Sequence, residues 1–93
     1  MQIGIIGLGD MGKLYANAFA LAGYKVCGTD IATNINNLTL LLQPKGINIL
    51  PDGHEVARRA DLLIFCVEAE HIELVVASFA KSIKYGAIVG GQT

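Results

Sequence analysis

The strongest constraint on this chain lies in its first twelve residues. A short apolar run, Gln2–Ile6, opens into Gly7-Leu8-Gly9-Asp10-Met11-Gly12, and a helical pattern follows without a break. The run is rich in β-branched residues and too short for a helix, so it reads as a strand. Glycines at G-x-G-x-x-G spacing between a strand and a helix mark a tight turn. Gly7 permits the turn out of the strand, and Gly12 lets the helix pack closely on the sheet. A chain that begins this way is committed to a strand–helix unit. The next strand then returns parallel to the first through a right-handed crossover.

The rest of the chain keeps that alternation. Residues 11–22 read as a helix, with Met11, Leu14, Tyr15, Ala18 and Ala22 recurring near helical spacing. Gly23 can take the left-handed position that ends it. Residues 25–30 read as the second strand. Residues 33–43 form a weaker helix, capped by Thr33 or Asn34, striped by Leu38, Leu41 and Leu42, and shortened by Pro44. Residues 47–50 are the third strand. Asp52 caps a helical segment that runs to Arg59, with Glu55 at capping-box spacing. Residues 62–67 are the fourth strand. Residues 70–82 form a helix with Ile72, Val75, Val76 and Phe79 on one face, and residues 87–89 are a fifth strand running into Gly90-Gly91. The expected fold is α/β, a Rossmann-type doubly wound parallel sheet of about five strands in the order 3-2-1-4-5. Ligands of such a sheet bind at the carboxyl ends of the strands, near the first.

Composition agrees and excludes several classes. Hydrophobic residues make up 53% of the 93 and charged residues 16%. That suits strands buried on both faces by helices and excludes disorder. A net charge of −1 gives no electrostatic reason to bind nucleic acid or an anionic membrane. No apolar run approaches the roughly 18 residues of a membrane span, and Met1-Gln2-Ile3-Gly4 has no basic region of a signal peptide. Lys81 and Lys84 read as a solvated helix end. Cys27 and Cys66 lie inside apolar strands and read as buried thiols, which fits a reducing, cytoplasmic setting. His54 and His71 read as surface residues at helix starts. The spacing shows no metal-ligand cluster and no Ser/His/Asp set.

The glycine motif carries the chemistry. It follows a strand, opens a helix, and is followed 18 residues after Gly12 by Asp30 at the end of the next strand. Together these features form the fingerprint of a dinucleotide-binding βαβ unit. Gly9 lets the backbone approach a pyrophosphate. The free N–H groups of the first helical turn, reached through Leu8 and Met11, face its charge along the helix dipole. Asp10 is a complication, since its carboxylate repels a phosphate unless it turns away or caps the helix. Asp30 is expected to accept hydrogen bonds from the adenosine ribose hydroxyls, with Ile31 beside it. It also repels a 2′-phosphate, and no Arg follows among residues 31–34, so local chemistry favours NAD. Val67 and Glu68 follow the fourth strand, where the nicotinamide ribose of such a domain usually passes. Glu68 reads equally well as a solvated loop residue.

The sequence from Ile3 to Gly12, Leu14-Tyr15-Ala16-Asn17, Val67-Glu68-Ala69 and the ending Tyr85 to Thr93, with its Gly90-Gly91-Gln92-Thr93, resemble fungal-type prephenate dehydrogenases. The resemblance runs along the whole chain and is loosest over residues 31–57. It implies oxidative decarboxylation of prephenate to 4-hydroxyphenylpyruvate in tyrosine biosynthesis, by an enzyme that is a homodimer at full length. It implies NADP as cofactor, against the NAD suggested by Asp30, and both remain open. In that family the catalytic histidine and serine follow the Gly-Gly-Gln-Thr segment, and a helical domain completes the substrate site. Residues 1–93 are therefore expected to be the NAD(P)-binding part of a longer enzyme, with no catalytic residue and no metal ligand of their own. Two other readings stand beside it. One is another β-hydroxyacid-type dehydrogenase, since Gly-Leu-Gly-x-Met-Gly opens those enzymes too. The other is a non-enzymatic NAD(H)-sensing regulatory domain.

Overall fold

A computed structural model describes residues 1–92. Five strands, β1 (Gln2–Ile6), β2 (Lys25–Thr29), β3 (Ile47–Ile49), β4 (Leu62–Cys66) and β5 (Ile88–Gln92), pair in parallel in the order β3-β2-β1-β4-β5. Four helices connect them: α1 (Asp10–Leu21), α2 (Ile35–Leu42), α3 (Gly53–Arg59) and α4 (Ile72–Phe79). Short 3₁₀ turns flank α2 and α4. This is the expected doubly wound architecture. Thr93, the last residue of the Gly-Gly-Gln-Thr ending, lies outside the described residues.

Side chains alternate across the sheet and build one core on each face. Ile3 and Ile5 of β1 join Val26, Ile64, Ala16 of α1 and Leu38 and Leu42 of α2. Ile6 joins Cys27, Leu63, Phe65 and Val56, Ala57 and Ala60 on the other face, where α4 adds Ile72, Val75, Val76 and Phe79. β1 is central and has both faces covered, which is why its sequence is a nearly unbroken apolar run. Each fully buried Ile or Phe contributes about 1.5–3 kcal/mol of transfer free energy.

Several local expectations need correction. α1 buries Gly12 and Ala16, whereas Met11 and Leu14 of the expected stripe are exposed. Small residues let the helix axis approach the sheet, so the larger apolar side chains are displaced to its flanks. Residues 33–43 divide into a 3₁₀ turn, Ala32–Asn34, and α2, and Asn34 makes no side-chain cap. Asp52 caps α3 by accepting from the His54 N–H at 2.9 Å. The capping box is not completed, because Glu55 accepts charge-assisted bonds from Arg58 at 3.2 Å and Arg59 at 3.0 Å. Lys84 is not simply solvated: it pairs with Asp61 at 2.5 Å. β5 begins at Ile88 and runs through both glycines, held by its ladder to β4.

Candidate functional site

The turn between β1 and α1 is built from backbone touching backbone. Gly7 has φ +99°, and a Cβ there would run into the carbonyl oxygen of Cys66 at the end of β4. A Cβ on Gly12 would run into the carbonyl oxygen of Gly7. The ends of β1 and β4 and the start of α1 therefore meet at two positions that admit no side chain. The Gly7 N–H donates to the Thr29 carbonyl at 2.9 Å and ties the turn to β2. The Leu8 side chain is 1% exposed and anchors the loop in the core against Gly28.

Gly9 differs from both. It has φ −70°, and a Cβ built on it meets nothing within 4 Å. No protein atom requires a glycine there. As N-cap of α1 it supplies no side-chain cap, so the first N–H groups of the helix keep their capacity to bind an anion. Asp10 is exposed at the first helical position and makes no cap. Its charge favours the helix and opposes an anion at the same end.

Asp30 sits just past β2 and turns one oxygen to each side. Oδ2 accepts from the Leu8 N–H at 3.3 Å and Oδ1 from the Ile31 N–H at 2.8 Å. It is a strut between the glycine loop and the end of β2.

Two recesses flank this turn. One, of about 320 Å³, has walls from Ile6, Gly7, Ile31, Pro51, Val67 and Phe79, with Thr29 and Asp30 as its polar part. Thr29 Oγ1 is buried and has no hydrogen-bond partner among the described residues. The other, of about 220 Å³, is lined by Gly9, Asp10, Met11, Gly12, Val67 and Glu68, together with Cys66. Burial pushes the Cys66 thiol above its ordinary range, so it stays neutral and is a poor nucleophile.

The structure thus gathers all ten candidate residues around one turn. Gly7, Asp30, Ile31 and Val67 line the first recess, and Gly9, Asp10, Met11, Gly12, Val67 and Glu68 line the second. Leu8 contributes its backbone N–H. Ile6, Thr29, Pro51, Gly53, Val75 and Phe79 also line the first recess, and Cys66 the second. Pro51 and Gly53 follow the third strand at the same edge of the sheet, and that position was the available signal. Helical spacing shows Phe79 only as a core residue. Cys66 is half-buried beside the turn rather than fully buried like Cys27. His54 is engaged: its Nδ1 lies 2.6 Å from Ser82 Oγ and its ring packs on Phe79. Glu68, Glu70 and His71 bring ligand atoms within 4.8 Å of one another, all of them exposed.

A family model described as NADP oxidoreductase, coenzyme F420-dependent, matches residues 2–89. The chain belongs to this family. Among its relatives, a probable prephenate dehydrogenase, NADP(+), of Schizosaccharomyces pombe is 46% identical over 92 residues, covering 99% of this chain and 21% of the relative. A prephenate dehydrogenase, NADP(+), of Saccharomyces cerevisiae is 45% identical over 91 residues, covering 98% and 20%. The chain spans about a fifth of the length of these relatives. Among solved structures, 3-hydroxyisobutyrate dehydrogenase of Mycobacterium tuberculosis superposes with a TM-score of 0.84 at 20% identity, over 97% of this chain and 30% of that one. An imine reductase of Myxococcus stipitatus in complex with NADP+ also gives 0.84, at 17% identity, over 100% and 32%. These two likenesses establish the family's fold and nothing further.

Proposed function

We propose that the chain binds NADP(H) across the carboxyl ends of its strands, as the cofactor-binding part of a prephenate dehydrogenase. The observation that carries this reading is the contrast among the three glycines. Gly7 and Gly12 answer to contacts inside the protein, while the space beside Gly9 is open. A glycine kept where no protein atom needs it fits a ligand that approaches the backbone. The uncapped start of α1 would hold the pyrophosphate. The recess floored by Thr29 and Asp30 suits an adenosine, with apolar walls for the base and oxygens for the ribose. Thr29 Oγ1, which has no hydrogen-bond partner among the described residues, fits a site completed by a ligand.

When bound, the cofactor supplies a hydride acceptor. The residues of this chain would bind and orient it. The proposed reaction oxidises prephenate with loss of carbon dioxide to 4-hydroxyphenylpyruvate, a step of tyrosine biosynthesis. NADP is favoured by the names of both relatives. The two unbridged thiols support a reducing compartment such as the cytoplasm. Titration with NADPH and with NADH, followed by amide chemical shifts, tests the reading. Shifts centred on Leu8–Gly12 are expected with NADPH. Saturating NADPH that leaves those amides unmoved refutes it.

A further inference from the structure

Resting on the NADP reading above, the geometry points to a 2′-phosphate pocket whose cation is Lys13 of α1, with Asn34 and Asn37 as neutral donors. A third recess, of about 290 Å³, opens beside Asp30. Lys13, Asn34 and Asn37 line it with Gly9 and Asp30, and Leu38 contributes an apolar wall. Asp30 is common to both recesses. A ribose held at Asp30 with its base in the first recess would bring its 2′ substituent within reach of the other.

The lining chemistry suits a dianion better than a hydroxyl. Lys13 enters no ion pair among the described residues. Asn34 is the N-cap of α2 yet makes no side-chain cap, so its amide is available to a ligand. The recess runs along one flank of α2, from Asn34 past Asn37 and Leu38 to Leu41, so its polar end lies beside Lys13 and Asp30. The opposing charge of Asp30 is softened because both of its oxygens already accept backbone N–H bonds. A neutral 2′-hydroxyl needs no cation here. The residues after β2, Ile31-Ala32-Thr33-Asn34, contain none. The cation comes instead from a helix 17 positions earlier in the chain than Asp30, which only the folded structure brings alongside it.

The test is calorimetric titration of the full chain, wild type and Lys13→Met, with NADPH, NADH, 2′-AMP and 5′-AMP. Lys13→Met is expected to weaken NADPH and 2′-AMP by about ten- to a hundredfold, the range of a lost charge-assisted contact, and to leave NADH and 5′-AMP within about twofold. Lys13→Arg should keep most of the NADPH affinity. Asn37→Asp places a new negative charge in the same recess and should weaken NADPH selectively. An unchanged NADPH-to-NADH ratio in both Lys13→Met and Asn37→Asp overturns the pocket while leaving dinucleotide binding intact. A wild type that binds NADH more tightly than NADPH overturns it as well. A wild type that binds neither overturns both the pocket and the function proposed above.

Discussion

The two flanks of β1 are held together in different ways. On the side of β2 and α1, the Gly12 backbone lies against that of Gly7, and the Asp30 strut crosses the loop. On the side of β4 and β5, the outer layer is loose. α4 has no fully buried residue, Leu74 is 74% exposed and Ile88 of the edge strand 62%. The candidate site therefore sits where the fold has least room to shift. A phosphate is recognised by backbone N–H groups whose positions must be set in advance, and contacts between main chains set them more firmly than long side chains do.

This contrast can be broken or sharpened by substitution. The largest effect is expected for Gly12→Ala. Its methyl meets a carbonyl oxygen that belongs to the turn itself, so overpacking of about 3 kcal/mol or more should outweigh the gain in helix propensity of about 1 kcal/mol. Urea unfolding reads the loss, and a midpoint equal to the wild type's would dissolve the claim of a rigid flank.

Next comes Gly9→Val. Nothing surrounds that position, so the melting temperature should fall by only a few degrees. NADPH affinity should fall at least about a hundredfold, or about 2.7 kcal/mol. Retained affinity would show that the open space beside Gly9 is not the phosphate's.

Asp30→Ala removes two hydrogen bonds from the loop. NADH binding should weaken by about tenfold and NADPH by less, because a repulsive charge is lost at the same time. Fluorescence titration of both cofactors gives the ratio, and an equal loss would separate Asp30 from the ribose.

Asp61 ties the amino end of β1 to that of β5, at the opposite end of the strands from the glycine turn. Its Oδ2 accepts from the Gln2 N–H at 2.7 Å, and its backbone carbonyl accepts from Ile88 at 2.8 Å. The hydrogen bond from Lys84, with that from Gln2, holds its carboxyl below the usual range. A depressed folded-state pKa stabilises the fold above the unfolded value and is lost as pH falls through the folded value. Asp61→Asn should therefore lower the melting temperature at pH 7, and its difference from wild type should shrink below about pH 4. A difference independent of pH would rule out the ionised pair as its cause.

The smallest effect is expected at Leu74→Gln, within about 0.5 kcal/mol by urea unfolding. A large loss would mean that the β5 flank is tighter than its exposure indicates.

Much of this was legible in the chain. The order of strands and helices followed from apolar runs alternating with helical spacing and from glycines at their junctions. The candidate turn was legible because its residues are contiguous and their chemistry is that of the backbone. The face of α1 was not legible. Its apolar stripe at Met11 and Leu14 looked like a core, but a helix that must approach the sheet closely buries Gly12 and Ala16 instead. The capping box at Asp52 and Glu55 failed because Arg58 and Arg59, one helical turn on, compete for the same carboxylate. Phe79 was not legible as a site residue because it lies on α4, far along the chain from the glycine turn.

Local order was thus settled by the amino-acid sequence: where strands begin, where the chain turns, and which turn leaves helix N–H groups free. Those properties depend on neighbours a few residues apart. Only the tertiary structure decided that Gly9 faces open space while Gly7 and Gly12 do not, that Asp30 braces the glycine loop, and that Lys13 stands across a recess from Asn34 and Asn37. The reason is physical. Close packing assigns side chains to faces and recesses through contacts between segments distant in the chain, and no local pattern of residues encodes those contacts.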